Sequence, residues 1–284
     1  VVTRVTWDEL PPGLRECVER RTGKVTRAEV VGTGLNCSVA LTLVTKRNGT
    51  LFLKGVHESD ATGLEGLNNE EIVNQTVAGI GPMIRHTFDV DGWHCLAFVY
   101  IRGNHADLGP GSPDLDSVRS TINRMRSLSG DSLWLARSGA RIPQLSERLA
   151  AYLSAEEAAH LRGNTLLHTD TNPHNIIVSR PGGEVYVIDW AMPALGPAWV
   201  DAACTAVRLM ECGHEPASAV EWLAPLPHWR RANPKAVEAF VNATCRQWSA
   251  TVGEKDAEPS NNRFRALLGF PHEPPNALGP RGRA

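Results

Sequence analysis

Along residues 38–45 the apolar positions Val39, Leu41 and Leu43 recur at every second place, the period of a strand with one face buried. Asn48-Gly49 then supplies a hairpin turn, because Asn and Gly accept the positive φ that tight hairpins demand. Residues 50–56 read as the returning strand. Residues 24–31, 83–90 and 93–101 read as three more strands, the last two joined at Asp91-Gly92. Between them, Leu64, Leu67, Ile72 and Val73 stand among polar residues at helical spacing. Residues 64–77 are therefore expected to form the one helix of this region, stopped by Gly79 and Gly81-Pro82.

The texture changes after residue 101. Residues 102–113 hold Gly103, Gly109, Pro110, Gly111 and Pro113 and read as a loop. Helical patterns then dominate, over 115–128, 154–161, 201–212, 217–223 and 234–251. Ser154 and Glu157 form a capping box, and Asn233 caps the last helix with Pro234 at its first position. Short β-type runs interrupt them at 165–179 and 184–190. From Pro271 onward, Pro and Gly predict an irregular tail. The expected class is α+β: a small β-rich region over 1–100 with one key helix, and a larger, mainly helical region over 101–284. A cleft between two such lobes is a usual ligand site.

Composition narrows the partners. The 284 residues are 42% hydrophobic and carry a net charge of -2, which gives no electrostatic basis for a nucleic-acid or membrane partner. No apolar run is long enough to span a bilayer, and the first ten residues have no apolar stretch of the signal-peptide kind. The six cysteines form no C-x-x-C pair and read as free thiols of a reducing cytosol, so a cytoplasmic protein is expected. Lys occurs only at positions 24, 46, 54, 235 and 255. With abundant Ala, Gly and Pro, this Arg-rich usage is the composition of a GC-rich genome such as those of soil actinobacteria. None of these patterns fixes an oligomeric state.

The strongest chemical signal is His168-Thr169-Asp170-Thr171-Asn172-Pro173-His174-Asn175, an H-x-D-x-x-x-x-N pattern on a loop that runs into the apolar Ile176-Ile177-Val178. A second short run, Val185-Tyr186-Val187-Ile188, ends in Asp189-Trp190, with Gly182-Gly183 between the two as a turn. A hairpin places the start of its first strand near the end of its second, which brings Asn175 and Asp189 together. Phosphoryl transfer needs a carboxylate beside the attacking hydroxyl and hard oxygen ligands for magnesium. Asp170 suits the first task, and Asn175 and Asp189 the second. His168 is expected to fix the loop by donating a hydrogen bond.

A second constellation lies upstream. Lys54 ends an apolar strand run, and a phosphate-binding lysine needs a carboxylate to hold its stem; Glu70 and Glu71 on the next helix are both candidates. Gly32 and Gly34 sit between the first two strands, where a glycine turn lets backbone N–H groups approach phosphates.

Together these residues resemble the aminoglycoside phosphotransferase family, small-molecule kinases with the bilobal protein-kinase-like fold. The resemblance spans roughly residues 25–215. It implies that Asp170 is the catalytic base, that Asn175 and Asp189 hold Mg2+, and that Lys54, partnered by Glu70, contacts the phosphates of ATP or GTP. It further implies that Phe98, Val99, Tyr100 and Ile101 form the hinge facing the purine, and that Asp201 buttresses the catalytic loop. Asp189-Trp190 matches this family rather than the Asp-Phe-Gly of protein kinases. Two departures stand out: Thr171 replaces a usually apolar residue, and the nucleotide loop is poor in glycine.

The expected partner is a small-molecule hydroxyl substrate, such as an aminoglycoside, nucleoside or macrolide antibiotic, a sugar or an amino alcohol. Acidic and basic residues are nearly balanced beyond residue 200, which disfavours a polycationic substrate. The tryptophans there, Trp199, Trp222, Trp229 and Trp248, are expected in the core. Two rival readings remain: a degenerate kinase acting as a binding protein, and a metal-dependent hydrolase built on His168, Asp170 and His174.

Overall fold

The computed structural model describes residues 4–32 and 37–269 of the chain. It divides into two compact units. One comprises Val1–His105, Leu133–Ala140 and His174–Met192, the other Ala106–Ser132, Arg141–Pro173 and Pro193–Ala284. The short segments 133–140 and 174–192 thus belong with the sheet-bearing unit, although in sequence they lie within the mainly helical region.

The first unit is built on an antiparallel sheet of β1 (Val25–Val30), β2 (Val39–Thr45), β3 (Gly49–His57), β4 (Ile84–Val90) and β5 (Trp93–Val99), in the order β1-β2-β3-β5-β4. Its two faces bury different sets. Leu41 and Leu43 of β2 and Leu51 and Leu53 of β3 pack with Leu10, Leu14 and Val18, the last two on α1 (Pro12–Thr22). Ala40 and Val56 instead pack with Leu67 of α2 (Ala61–Val73), together with Leu96 and Phe98. This split follows from the period-two pattern. α1 is a second helix where one was expected. Its buried stripe is only Leu14, Val18 and Thr22, set among Arg15, Glu16, Glu19, Arg20 and Arg21, so its periodicity is faint. Helix α2 begins earlier than its apolar spacing suggests, because the Asp60 carboxylate accepts from the Gly63 N–H at 2.9 Å and caps it.

The same unit holds a three-stranded sheet of Gly103–His105, Ile176–Ser179 and Val185–Val187. The first of these falls in the stretch expected to be loop; its Gly-Asn-His sequence has no apolar alternation to reveal it. The Val187 N–H donates to the Ile80 carbonyl at 2.9 Å, tying the hairpin to the turn after α2.

In the second unit, Thr165–Leu167 pairs antiparallel with Ala194–Gly196. Around this pair stand the helices Leu115–Met125, Ala155–His160, Val200–Glu211, Pro216–Leu223, Pro234–Val252 and Glu254–Ala266. Val200–Glu211 is buried almost all round, as a central helix must be. Trp199, Trp222 and Trp229 lie in the core, with Trp199 edge-on to Phe240 at 5.6 Å, whereas Trp248 is exposed. Glu254–Ala266 was not expected as a helix: it is largely polar and carries Pro259 inside. The proposed tail from Pro271 lies outside the described residues. Among the described residues no helix is long and apolar enough to cross a membrane.

Candidate active site

Because Leu51 and Leu53 face α1, strand alternation turns Phe52 and Lys54 to the α2 side of the sheet. Lys54 is buried there. Its Nζ donates to Glu70 Oε1 and, at 2.7 Å, to Asp189 Oδ1. On α2 the buried positions are Leu67, Glu70 and Val73, spaced along one face. Glu71 is rotated off that face. It accepts from Thr87 Oγ1 at 2.9 Å and lies 3.4 Å from His94 Nε2. The geometry therefore makes Glu70 the partner of Lys54. Burial would weaken the lysine's charge, but the two carboxylates outweigh it and hold the Lys54 pKa above its ordinary value. Burial pushes the Glu70 carboxyl up to about 7, with Asp189 adding to the rise and Lys54 opposing it.

Asn175 ends a single 3-10 turn, Pro173–Asn175, and Asp189 follows the second strand of the hairpin. Ile176 pairs with Val187, and the Ile188 N–H donates to the Asn175 carbonyl at 2.9 Å, so the hairpin does bring the two positions side by side. Asp189 adopts a φ of 65°, unusual for a residue with a side chain. An amide oxygen and a carboxylate are hard donors that suit Mg2+, which takes few protein ligands and completes its shell with phosphates and water. Among the described residues no group of three or more His, Cys, Asp or Glu could hold a metal ion. The His168, Asp170 and His174 set of the hydrolase reading is accordingly not such a group.

Lys54, Glu70, Asn175 and Asp189 all line one cavity of about 540 Å3 within the sheet-bearing unit. Phe98, Val99, Tyr100 and Ile101 line it too, with Val31 and Ala40 supplying apolar wall. The Val99 N–H donates to the Met83 carbonyl at 2.8 Å, which fixes this segment against the start of β4. Gly32 follows the wall residue Val31 and has open space where a side chain would stand. Gly34 lies outside the described residues.

Asp170 belongs to the second unit. Its Oδ2 accepts from Asn172 Nδ2 at 2.9 Å, and its Oδ1 lies 3.2 Å from Arg208 Nη2. The loop is held from below by Asp201, in the first turn of Val200–Glu211. This buried carboxylate accepts the His168 N–H at 3.0 Å and the Thr169 N–H at 2.8 Å. Burial pushes the Asp201 pKa up, with His168 and the two N–H groups opposing that rise. The Nδ1 of His168 accepts the Asp170 N–H at 3.2 Å, so at this nitrogen the ring accepts where a donating role was expected. Thr169 sits at a φ of 69°, a left-handed conformation held by these bonds and by Arg148 on its hydroxyl at 3.1 Å. Thr171 is fully buried, and its hydroxyl bonds Thr205 Oγ1 at 2.8 Å, which accounts for a polar residue at a usually apolar place.

Arg208, Asn172 and Arg148 were missed by the sequence reading. Arg208 carried a signal: Asp201, Thr205 and Arg208 are spaced i, i+4, i+7 and share a helix face. Arg148 and Asn172 carried none.

The family model described as the phosphotransferase enzyme family matches residues 103–234. Among solved structures, the GDP and kanamycin complex of APH(2")-IIia is 14% identical over 88% of this chain and 95% of that one, with a TM-score of 0.56. The macrolide 2'-phosphotransferase MphH of Brachybacterium faecium is 16% identical over 92% and 99%, at 0.51. An ethanolamine kinase of Plasmodium vivax is 10% identical over 86% and 82%, at 0.56. At such identities these likenesses show the shared protein-kinase-like fold. No curated protein matches the chain by sequence.

Proposed function

On the premise that residues 103–234 form a domain of the phosphotransferase enzyme family, we propose that this protein transfers the γ-phosphoryl group of ATP or GTP to a hydroxyl of a small molecule. The observation that carries the reading is Lys54, held between Glu70 and Asp189 in the wall of a cavity that also presents the 98–101 segment. A base would lie along that segment, and the phosphates beside Lys54.

Asn175 and Asp189 would hold Mg2+, which supplies charge neutralisation on the phosphate oxygens. Lys54 binds the α- and β-phosphates, and Glu70 keeps the ammonium in place. Asp170 orients the acceptor hydroxyl and takes its proton. The hydroxyl oxygen forms a bond to phosphorus while the bond from phosphorus to the bridging oxygen breaks, its electron pair leaving with the nucleoside diphosphate. Asp201, His168 and Arg208 hold Asp170 in its conformation.

An antibiotic hydroxyl is our first choice of acceptor. The solved structures of the same fold include a complex with kanamycin and macrolide phosphotransferases, and an ethanolamine kinase makes a metabolic amino alcohol the next choice. The test is a mass-spectrometric screen of aminoglycosides, macrolides, nucleoside antibiotics, sugars and amino alcohols with each nucleotide and magnesium. One compound gaining a single phosphoryl group, with the gain lost in Asp170→Ala, supports the reading. If the product forms equally with Asp170→Ala, the assignment of the base is wrong.

A further inference from the structure

A nucleotide with its base along residues 98–101 and its phosphates beside Lys54 must carry its sugar across the space between them, because the sugar joins the two. The strand Gly103–His105 begins two residues after Ile101. It pairs antiparallel with Ile176–Ser179, the strand that follows Asn175, in the register Gly103 opposite Ser179 and His105 opposite Ile177. This short strand therefore runs from the base end of the cavity towards the metal-holding end, and His105 finishes it level with a residue only two positions from Asn175. Residues directly opposite each other in an antiparallel pair share one face of the sheet. Ile177 lines the cavity, and His105 lines it as well.

The His105 ring is braced by a neighbour. It meets the His174 ring edge-on, with centroids 5.6 Å apart and planes at 76°. This contact orients the imidazole without occupying a hydrogen bond. Among the described residues neither ring nitrogen of His105 has a hydrogen-bond partner. Partial burial, and then the neighbouring His174, lower its pKa below the ordinary histidine value, so the ring is neutral at neutral pH. A neutral imidazole carries one N–H donor and one acceptor nitrogen. A sugar hydroxyl can meet either, since it both donates and accepts.

We propose that His105 hydrogen-bonds a hydroxyl of the nucleotide's ribose and thereby makes the cavity prefer ribonucleotides to their deoxy counterparts. The inference rests on the nucleotide reading of the cavity given above. It adds a contact to the sugar, where that reading places groups only on the base and the phosphates.

The experiment is calorimetric titration of the full chain, with magnesium. The ligands are whichever of ATP and GTP binds the wild type more tightly, and the 2'-deoxy and 3'-deoxy forms of that nucleotide. Wild type, His105→Ala and His105→Gln are compared, the last keeping a donor and an acceptor in case the alanine variant fails to fold. The wild type should bind the ribonucleotide about five- to tenfold more tightly than one of the deoxy forms, the size of one neutral hydrogen bond. His105→Ala should bind the ribonucleotide as weakly as the wild type binds that deoxy form. That deoxy form should bind wild type and His105→Ala alike, which certifies that the cavity is intact. His105→Gln should retain part of the preference. A wild type indifferent to both hydroxyls, a preference that survives in His105→Ala, or an equal loss for all three ligands would each overturn the proposal. Failure of the wild type to bind any nucleotide sinks the nucleotide reading itself, whereas tight wild-type binding without a sugar preference sinks the His105 inference alone.

Discussion

The Lys54 ammonium stands 2.7 Å from Asp189 Oδ1 while its other side bonds Glu70, so one buried cation holds together a strand, a helix and the end of a hairpin. Removing it leaves two carboxylates close together in the cavity wall, that of Glu70 buried. Breaking such a buried pair costs about 3 kcal/mol or more. Lys54→Ala should therefore lower the melting temperature by roughly 5–10 °C. Lys54→Met with Glu70→Met should recover most of that loss and none of the activity. A double variant no more stable than Lys54→Ala would contradict this account of the cluster.

Asp201 predicts a second separation of effects. Its carboxylate satisfies the N–H groups of His168 and Thr169, and Asp201→Ala strands both in a buried place. The expected cost is about 2–4 kcal/mol. Thermal melts should show it directly, and turnover should fall as the loop loses its left-handed Thr169. A variant of unchanged stability would mean that other groups take over these N–H bonds.

Arg208 acts on Asp170 from the same helix, two turns along. Arg208→Ala should lower kcat about tenfold by loosening the carboxylate, with nucleotide affinity unchanged. Arg208→Lys should recover part of the loss. A change in nucleotide affinity alone would place Arg208 in a different role.

His94 gives a pH prediction. It lies 2.6 Å from Asp89 Oδ1 and 3.4 Å from Glu71 Oε2, and its pKa is raised, first by Glu71. A raised folded value means that the protonated ring is favoured in the folded state. The stabilisation is full below the unfolded value of about 6.5 and is lost as pH rises through the folded value. His94→Gln should therefore lose more stability at pH 6 than at pH 9. Melting curves across this range check it; a deficit independent of pH would contradict it.

Much of this could be read from the residues. Four strands of the large sheet, β2 to β5, announced themselves by alternation or by an Asn-Gly or Asp-Gly turn. The juxtaposition of Asn175 and Asp189 followed from hairpin geometry. The choice of Glu70 over Glu71 did not, since neighbouring carboxylates on a helix are told apart only by which face is buried. α1 was hidden because charged residues surround its narrow apolar stripe, and Gly103–His105 because three residues carry no period. Arg148 was beyond reach, because its contact with Thr169 joins positions far apart in sequence and carries no local pattern.

The most direct test of the central claim is calorimetric nucleotide titration with and without magnesium, for the wild type and for Asp189→Ala. The account predicts that magnesium strengthens binding of ATP or GTP to the wild type, and that this gain disappears in Asp189→Ala. Wild-type binding that is absent, or indifferent to magnesium, would contradict the assignment of this cavity.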